Sequence, residues 1–238
     1  LFDTINYDPE QGNSLSSTNE AGVLAAFPGH VNFLQEVDHP GVQFPYLSAN
    51  LDFSGSGLGS IATSEIRDAA SYASDLSIAR DDAADPTVRG SDDRPEKIAA
   101  ATTIEAGGET IGVIGATTQR AGSITSLGGV TETTGGADDM AALAAAIQPW
   151  IAALAGQGVN KIVLVSHLQQ IALEKQLAGL LDGVDVIIAG GSGTLQADGN
   201  DRLRPGDTAD EGYPFQTTDA DGDPVMIVST DGEYSYVG

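Results

Sequence analysis

The segment Lys161–Thr194, KIVLVSHLQQIALEKQLAGLLDGVDVIIAGGSGT, decides the fold. It opens on an apolar run ending in Ser166 and His167 and passes through a helical pattern over Leu168–Leu181. A second apolar run then ends in Gly190, Gly191, Ser192, Gly193 and Thr194. Both runs are short, rich in Val and Ile and not alternating, the pattern of parallel strands buried on both faces. One helix between two such strands implies a right-handed β-α-β crossover. In open α/β sheets ligands bind at the carboxyl ends of strands, so His167 and the glycine turn mark where a site belongs.

Composition sets the outer bounds. The 238 residues suffice for one large domain, and the alternation of strand-like with helix-like segments argues α/β. Ten Lys and Arg stand against 34 Asp and Glu, a formal charge of -24. Such a surface repels nucleic acid and acidic membranes, so neither is expected as a partner, and it reads as a solvating surface. There are no cysteines, which excludes disulfides, thiolate metal sites and cysteine nucleophiles. No stretch approaches the roughly 20 apolar residues of a membrane span, so no membrane insertion is expected. A start at Leu1 without a signal-peptide pattern leads to the expectation of an internal piece or a processed product.

The segment resembles the calcineurin-like metallophosphoesterases, within them the secreted 5'-nucleotidase and alkaline-phosphatase-like branch. That branch carries a strand ending in Ser-His and, one β-α-β unit later, a strand ending in Gly-Gly-His-Ser-His-Thr. Ser166 and His167 match the first motif, and Ala189–Thr194 aligns with the second without a gap. Ser192 and Thr194 are kept there, but both histidines are replaced, by Gly191 and Gly193.

The rest of the chain extends the resemblance. Leu1–Thr18 is polar and turn-rich, and Asn19–Phe27 reads as a short helix capped by Ser17 or Thr18. Aligning Asn19, Glu20 and Gly22 with the family's Asn-Glu-x-Gly places Gly29–Phe33 over Gly-Asn-His-Glu-Phe. Its metal-binding Asn is then His30 and its catalytic His is Val31. Phe44, Pro45, Leu47, Ala49 and Asn50 reproduce a family strand within Val42–Phe53. Asn50 is read as a buried residue satisfying backbone groups rather than a ligand. A weak helix is expected at Ser64–Asp75, then a long acidic loop. Arg67, Arg80, Arg89 and Arg94 sit among acids, so local ion pairs are favoured over phosphate binding.

Thr102–Ile104 and Thr110–Ile114 flank a turn at Ala106, Gly107 and Gly108, a hairpin, and Thr117 and Thr118 match the family's Gly-x-Thr-Thr. Met140–Leu154 is a strong helix opened by Asp138 and Asp139 and ended by Gly156 and Gly158. Val225–Ser229 and Tyr234–Val237 read as a hairpin around Asp231 and Gly232. Asp219, Asp221 and Asp223 resemble the start of a calcium loop, but the glycine is misplaced and no closing Glu follows, so a tight acidic turn is expected.

The resemblance implies the second half of a metallophosphoesterase-like α/β sandwich: a mixed sheet with one β-α-β unit and hairpins, one domain over residues 1–238, incomplete on its N-terminal side. The family hydrolyses phosphomonoesters outside the cytoplasm with two divalent ions (Zn, Mn, Fe or Ca). These polarise the ester and generate the attacking hydroxide. Its Asp-x-His does not occur here, and the candidate metal ligands reduce to His167 and His30. Catalytic sites normally have three or more protein ligands, so metal is expected to be weak or absent and the isolated chain inactive. The alternative is a degenerate structural or binding module of a larger secreted or cell-surface protein. Ser166 lacks a Gly-x-Ser-x-Gly elbow, and no Gly-Lys-Ser/Thr supports a P-loop. His39, in Asp38-His39-Pro40, reads as a loop residue. The expected partners are an upstream half, other subunits or a further copy. The expected location is extracellular, cell-surface or periplasmic.

Overall fold

The computed structural model describes residues 44–72, 96–230 and Tyr236, together with the backbone of Tyr7–Asp8 and Asn13–Ser14. Two compact units partition the chain, residues 1–43 with 75–93 and residues 44–74 with 94–238. In the first, Tyr7–Asp8 (β1) and Asn13–Ser14 (β2) pair antiparallel.

The second unit holds a mixed seven-stranded sheet. Its centre is β8 (Glu109–Thr117), β10 (Ile162–His167), β11 (Val186–Gly190) and β13 (Pro224–Val228), all parallel. On one side β7 (Ala101–Ala106) pairs antiparallel with β8, and β5 (Arg67–Asp68) pairs parallel with β7. On the other, β12 (Phe215–Thr218) runs antiparallel to β13. Short ladders join β3 (Tyr46–Leu47) to β6 (Ile98–Ala99) and β4 (Leu51–Asp52) to β9 (Thr131–Glu132). Among the described residues the α-helices are α1 (Ala121–Ile124), α2 (Met140–Gly156) and α3 (Ile171–Ala178).

The expected crossover is present: α3 joins β10 to β11, which pair parallel with Leu164 opposite Ile187. Side chains alternate across a strand, so one face collects Ile114, Leu164, Ile187 and Ile227, each fully buried. The stripe Met140, Leu143, Ile147, Ile151 and Leu154 of α2 joins the same core, as do Leu177 and Ala178 of α3. Asp139 caps α2 by accepting from Ala142 N at 3.0 Å. Pro149 lies within α2 on an exposed position, and the helix continues through it. The opposite sheet face is covered at Gly115 of β8 by Leu47 but is apolar and open over β10, β11 and β13: Val165 is 41% exposed, Ile188 43% and Met226 41%.

Several expectations need correction. The helix expected over Leu168–Leu181 is confined to Ile171–Ala178, because Gln169 takes a left-handed φ of 76° directly after the strand. Within the strand expected over Val42–Phe53, the described residues 44–53 form two short pieces separated by a turn at Ala49–Asn50, where Asn50 bonds across to β8 instead of extending the ladder. Of the helix expected over Ser64–Asp75, the described residues 64–72 instead form β5 and a 3-10 turn at Ala69–Tyr72, since Arg67 and Asp68 pair with β7. The hairpin is as expected in place and turn: Ala101–Ala106 pairs with Glu109–Ile114 around Gly107 and Gly108, with φ of 63° and 84°. β13 finds its antiparallel neighbour upstream, in β12, through the acidic turn. Its expected partner Tyr234–Val237 lies mostly outside the described residues, as do Asn19–Phe27, Arg80, Arg89 and Arg94.

Two glycines of β8 show how tightly the faces are packed. A Cβ on Gly112 would stand 2.7 Å from Leu154 Cδ1, and one on Gly115 would overlap the backbone carbonyl of Leu47. A methyl group can rotate away but a backbone carbonyl cannot. Gly115→Ala is therefore expected to lower the unfolding free energy by about 1–3 kcal/mol, and Gly112→Ala by less. Urea unfolding of both variants measures this; equal losses would show that Leu47 does not lie against β8.

Candidate functional site at the strand ends

The parallel strands bring Thr117, His167 and Gly190 side by side at their carboxyl ends. His167 is exposed, on the sheet face opposite the helices. Its ring lies against Gly190, which ends β11, and Gly191, which follows it. A Cβ on Gly191 would stand 2.7 Å from His167 Nε2, and one on Gly190 2.7 Å from Ser166 O and 3.3 Å from His167 Nδ1. Gly191 and Gly193 both take left-handed φ, 81° and 67°. Ser192 Oγ accepts from Thr194 N at 3.2 Å and closes the turn.

Beneath His167 is a carboxylate that the sequence reading overlooked. Glu174 is fully buried. Its Oε1 accepts from Ser166 Oγ at 3.0 Å and from Leu168 N at 3.3 Å, while Oε2 is buried with no partner. Burial pushes its carboxyl above the usual range, against the opposing effect of its hydrogen bonds. A signal was present: Glu174 is spaced i, i+3 from both Ile171 and Leu177, on the helix stripe that turns inward.

Next to β10, the end of β8 is held by Asn50. Its Nδ2 donates to Thr117 O at 2.8 Å and to Glu132 Oε1 at 3.1 Å, and its Oδ1 accepts from Thr117 N at 2.9 Å. This is the structural role expected of it. Glu132 also accepts from Thr134 N and Gly136 N, each at 2.9 Å. Burial pushes its carboxyl up, but the donated hydrogen bonds outweigh that and hold it below the usual range. Gln119 donates from Nε2 to Thr134 Oγ1 at 2.7 Å, and its Oε1 is buried without a partner.

Other sequence readings can be placed. Asp219 forms the acidic turn: Oδ1 accepts from Asp221 N at 3.0 Å and Asp223 N at 2.8 Å, and Oδ2 from Gly183 N at 2.9 Å. Its oxygens are thus occupied by backbone donors. Arg67 pairs with Glu65 at 2.9 Å and with Glu96. His30, Val31 and His39 lie outside the described residues. Among the described residues no three or more His, Cys, Asp or Glu side chains are grouped to hold a metal ion. The donors around His167 there do not by themselves fit a two-metal centre. Among the described residues no helix is long and apolar enough to cross a membrane.

No protein-family model matches the chain, and no curated protein does. Solved structures do. A 5'-nucleotidase precursor from Thermus thermophilus aligns over 81% of this chain with 25% identity and a TM-score of 0.55. The NAD nucleotidase of Haemophilus influenzae aligns over 79% with 24% identity and a TM-score of 0.51, a likeness of fold. In each case the chain spans 29% of the solved protein's length. The resemblance and the α/β fold class drawn from Ser166–His167 and the Gly190–Thr194 turn are borne out: the chain is similar to 5'-nucleotidases and carries a nucleotidase-like fold.

The two glutamates should give opposite pH slopes. Glu174, raised, contributes stability that is fully present below the unfolded carboxyl pKa and is lost as pH rises through the folded one. Glu132, lowered, contributes stability that is present above the unfolded pKa and lost as pH falls through the folded one. Glu174→Gln is therefore expected to gain on the parent as pH rises from the unfolded carboxyl pKa through the folded one. Glu132→Gln should lose most near neutrality and least in acid. Urea unfolding from about pH 4 to 8 checks both, the lower end being set by the ordinary Glu pKa of about 4.3; parallel slopes would contradict the assignment.

Proposed function

We propose that this chain is the second half of a metallophosphoesterase domain whose family reaction is hydrolysis of phosphomonoesters, and that alone it does not catalyse that reaction. The observation that carries the reading is the parallel pairing of β10 with β11, which sets His167 beside Gly190 and Gly191 at the strand ends. In the resembled family that juxtaposition joins the Ser-His strand to the Gly-His-Ser-His strand. Here His167 remains as a metal donor, while Gly191 and Gly193 bring none. His30 is the second proposed donor, imidazole being a good metal ligand. Such a pair without carboxylates binds divalent ions weakly. When bound, the ions of the family supply Lewis-acid polarisation and a hydroxide nucleophile.

The alternative is a degenerate structural or binding module of a larger secreted or cell-surface protein. A specific observation favours it. The space a side chain at position 191 would fill is taken by the His167 ring, so the glycine is built into this arrangement. Fold likeness alone does not choose between these readings.

The reading includes a partner. Val165, Ile188 and Met226 leave an apolar sheet face open, and a protein of charge -24 gains nothing by exposing it. An upstream segment, a second copy or another subunit is proposed to cover it, in an extracellular, cell-surface or periplasmic setting.

Elemental analysis after dialysis, with turnover of a phosphomonoester measured beside it, tests the proposal. The expected result is less than one tightly held metal ion per chain and no turnover. Two equivalents of zinc, manganese or iron retained with turnover would overturn it. Sedimentation of the pure chain should show association; a stable monomer would remove the proposed partner.

A further inference from the structure

We propose that Glu174 is the positioning residue for His167, holding the chain on both sides of it through one buried oxygen. This rests on the reading of His167 as the surviving donor. Ser166 Oγ and Leu168 N, the neighbours before and after His167, both donate to Glu174 Oε1, at 3.0 and 3.3 Å. Ser166 is 3% exposed and Leu168 1%, so neither group has water as a substitute partner. Ser166 Oγ also reaches Ile188 O at 3.3 Å, which ties the same point to β11. The alternation of strand side chains then sends His167 to the opposite face, away from α3.

The chain needs such a fastening at this point. Gln169, two residues after His167, has φ 76°, which a residue with a side chain adopts only where its surroundings impose it. The ring is close-packed on its other side, because it lies where a Cβ on Gly191 would stand. Glu174 supplies the fixed point on one face and Gly191 the seat on the other. Burial holds the Glu174 carboxyl above the usual range, so neutral Gln is its closest substitute: it keeps an oxygen acceptor at the same reach.

The test uses NMR of the histidine rings in the full 238-residue chain. The sequence has three histidines, and His167→Ala assigns the relevant signal. Glu174→Gln should leave the His167 ring resonance in place. Glu174→Ala should shift it by more than the His30 or His39 resonances, with far-UV circular dichroism unchanged. Glu174→Asp retains a carboxylate but withdraws it by one methylene, and should also shift His167; it provides the comparison if the alanine variant does not fold. An unmoved His167 signal in Glu174→Asp or in a folded Glu174→Ala, or a shift in Glu174→Gln as large as theirs, would overturn the proposal. Titration with zinc ion alone separates it from the reading it rests on. A His167 ring that ignores zinc while following the variant pattern defeats the donor role and leaves the positioning role standing. A ring that responds to zinc, with a signal unaffected by Glu174, does the reverse.

Discussion

Burial of one sheet face against α2 and α3 is the constraint on which the rest of the structure depends. Ile114, Leu164, Ile187 and Ile227 lie in register across four parallel strands, and the register is fixed because a slip of one residue would turn every one of them outward. Everything at the carboxyl edge inherits its position from that alignment. Thr117, His167 and Gly190 are neighbours because Ile114, Leu164 and Ile187 are. At about 25 cal/mol per Å² of apolar surface removed from water, such side chains each contribute on the order of 1.5–3 kcal/mol, more than any exposed ion pair on this surface.

The polar groups within that frame are held by geometry rather than by charge pairing. Asn50 spans β8 and Glu132 with three bonds, and Asp219 gathers three backbone N–H groups. Glu174 is the costlier case. It satisfies two donors with one oxygen and leaves the other without a partner. A buried group of that kind is destabilising by itself, so its retention in a core helix is accounted for by what it fastens rather than by any net gain in stability.

Much of this was legible in the sequence, for reasons that differ by element. KIVLVSH and VDVIIAG announced themselves because both strands are interior and apolar on both faces. The helix Met140–Gly156 showed the acids Asp138 and Asp139 that open it and the glycines at its end. The hairpin showed its glycines. What failed was decided by distant partners. Arg67–Asp68 became a strand only because β7 offered an edge, and no local pattern reports an edge. Asn50 broke a run that otherwise reads as one strand by reaching Thr117, a residue 67 positions away. At the strand ends the motif residues could be read; the spacing of Glu174 between Ile171 and Leu177 shows that it turns inward, but not that it lies beneath His167. The sequence carries Glu174 seven residues beyond His167, and only the sharp exit at Gln169 folds it back.

The contact between His167 and Gly191 also constrains how this site can change over time. A donor at position 191 would have to enter the space that the His167 ring holds, from a backbone with φ 81°. Of the two replacements that would bring the sequence nearer to the Gly-His-Ser-His pattern, the one at 191 is therefore resisted by the one histidine that still matches the family, whereas a Cβ at 193 meets nothing within 4 Å. Gain at 191 requires prior movement at 167, or of the turn that carries it. Positions 167 and 191 are coupled, and the order of substitutions matters there: 191 gains a side chain by a pair of changes, not by one.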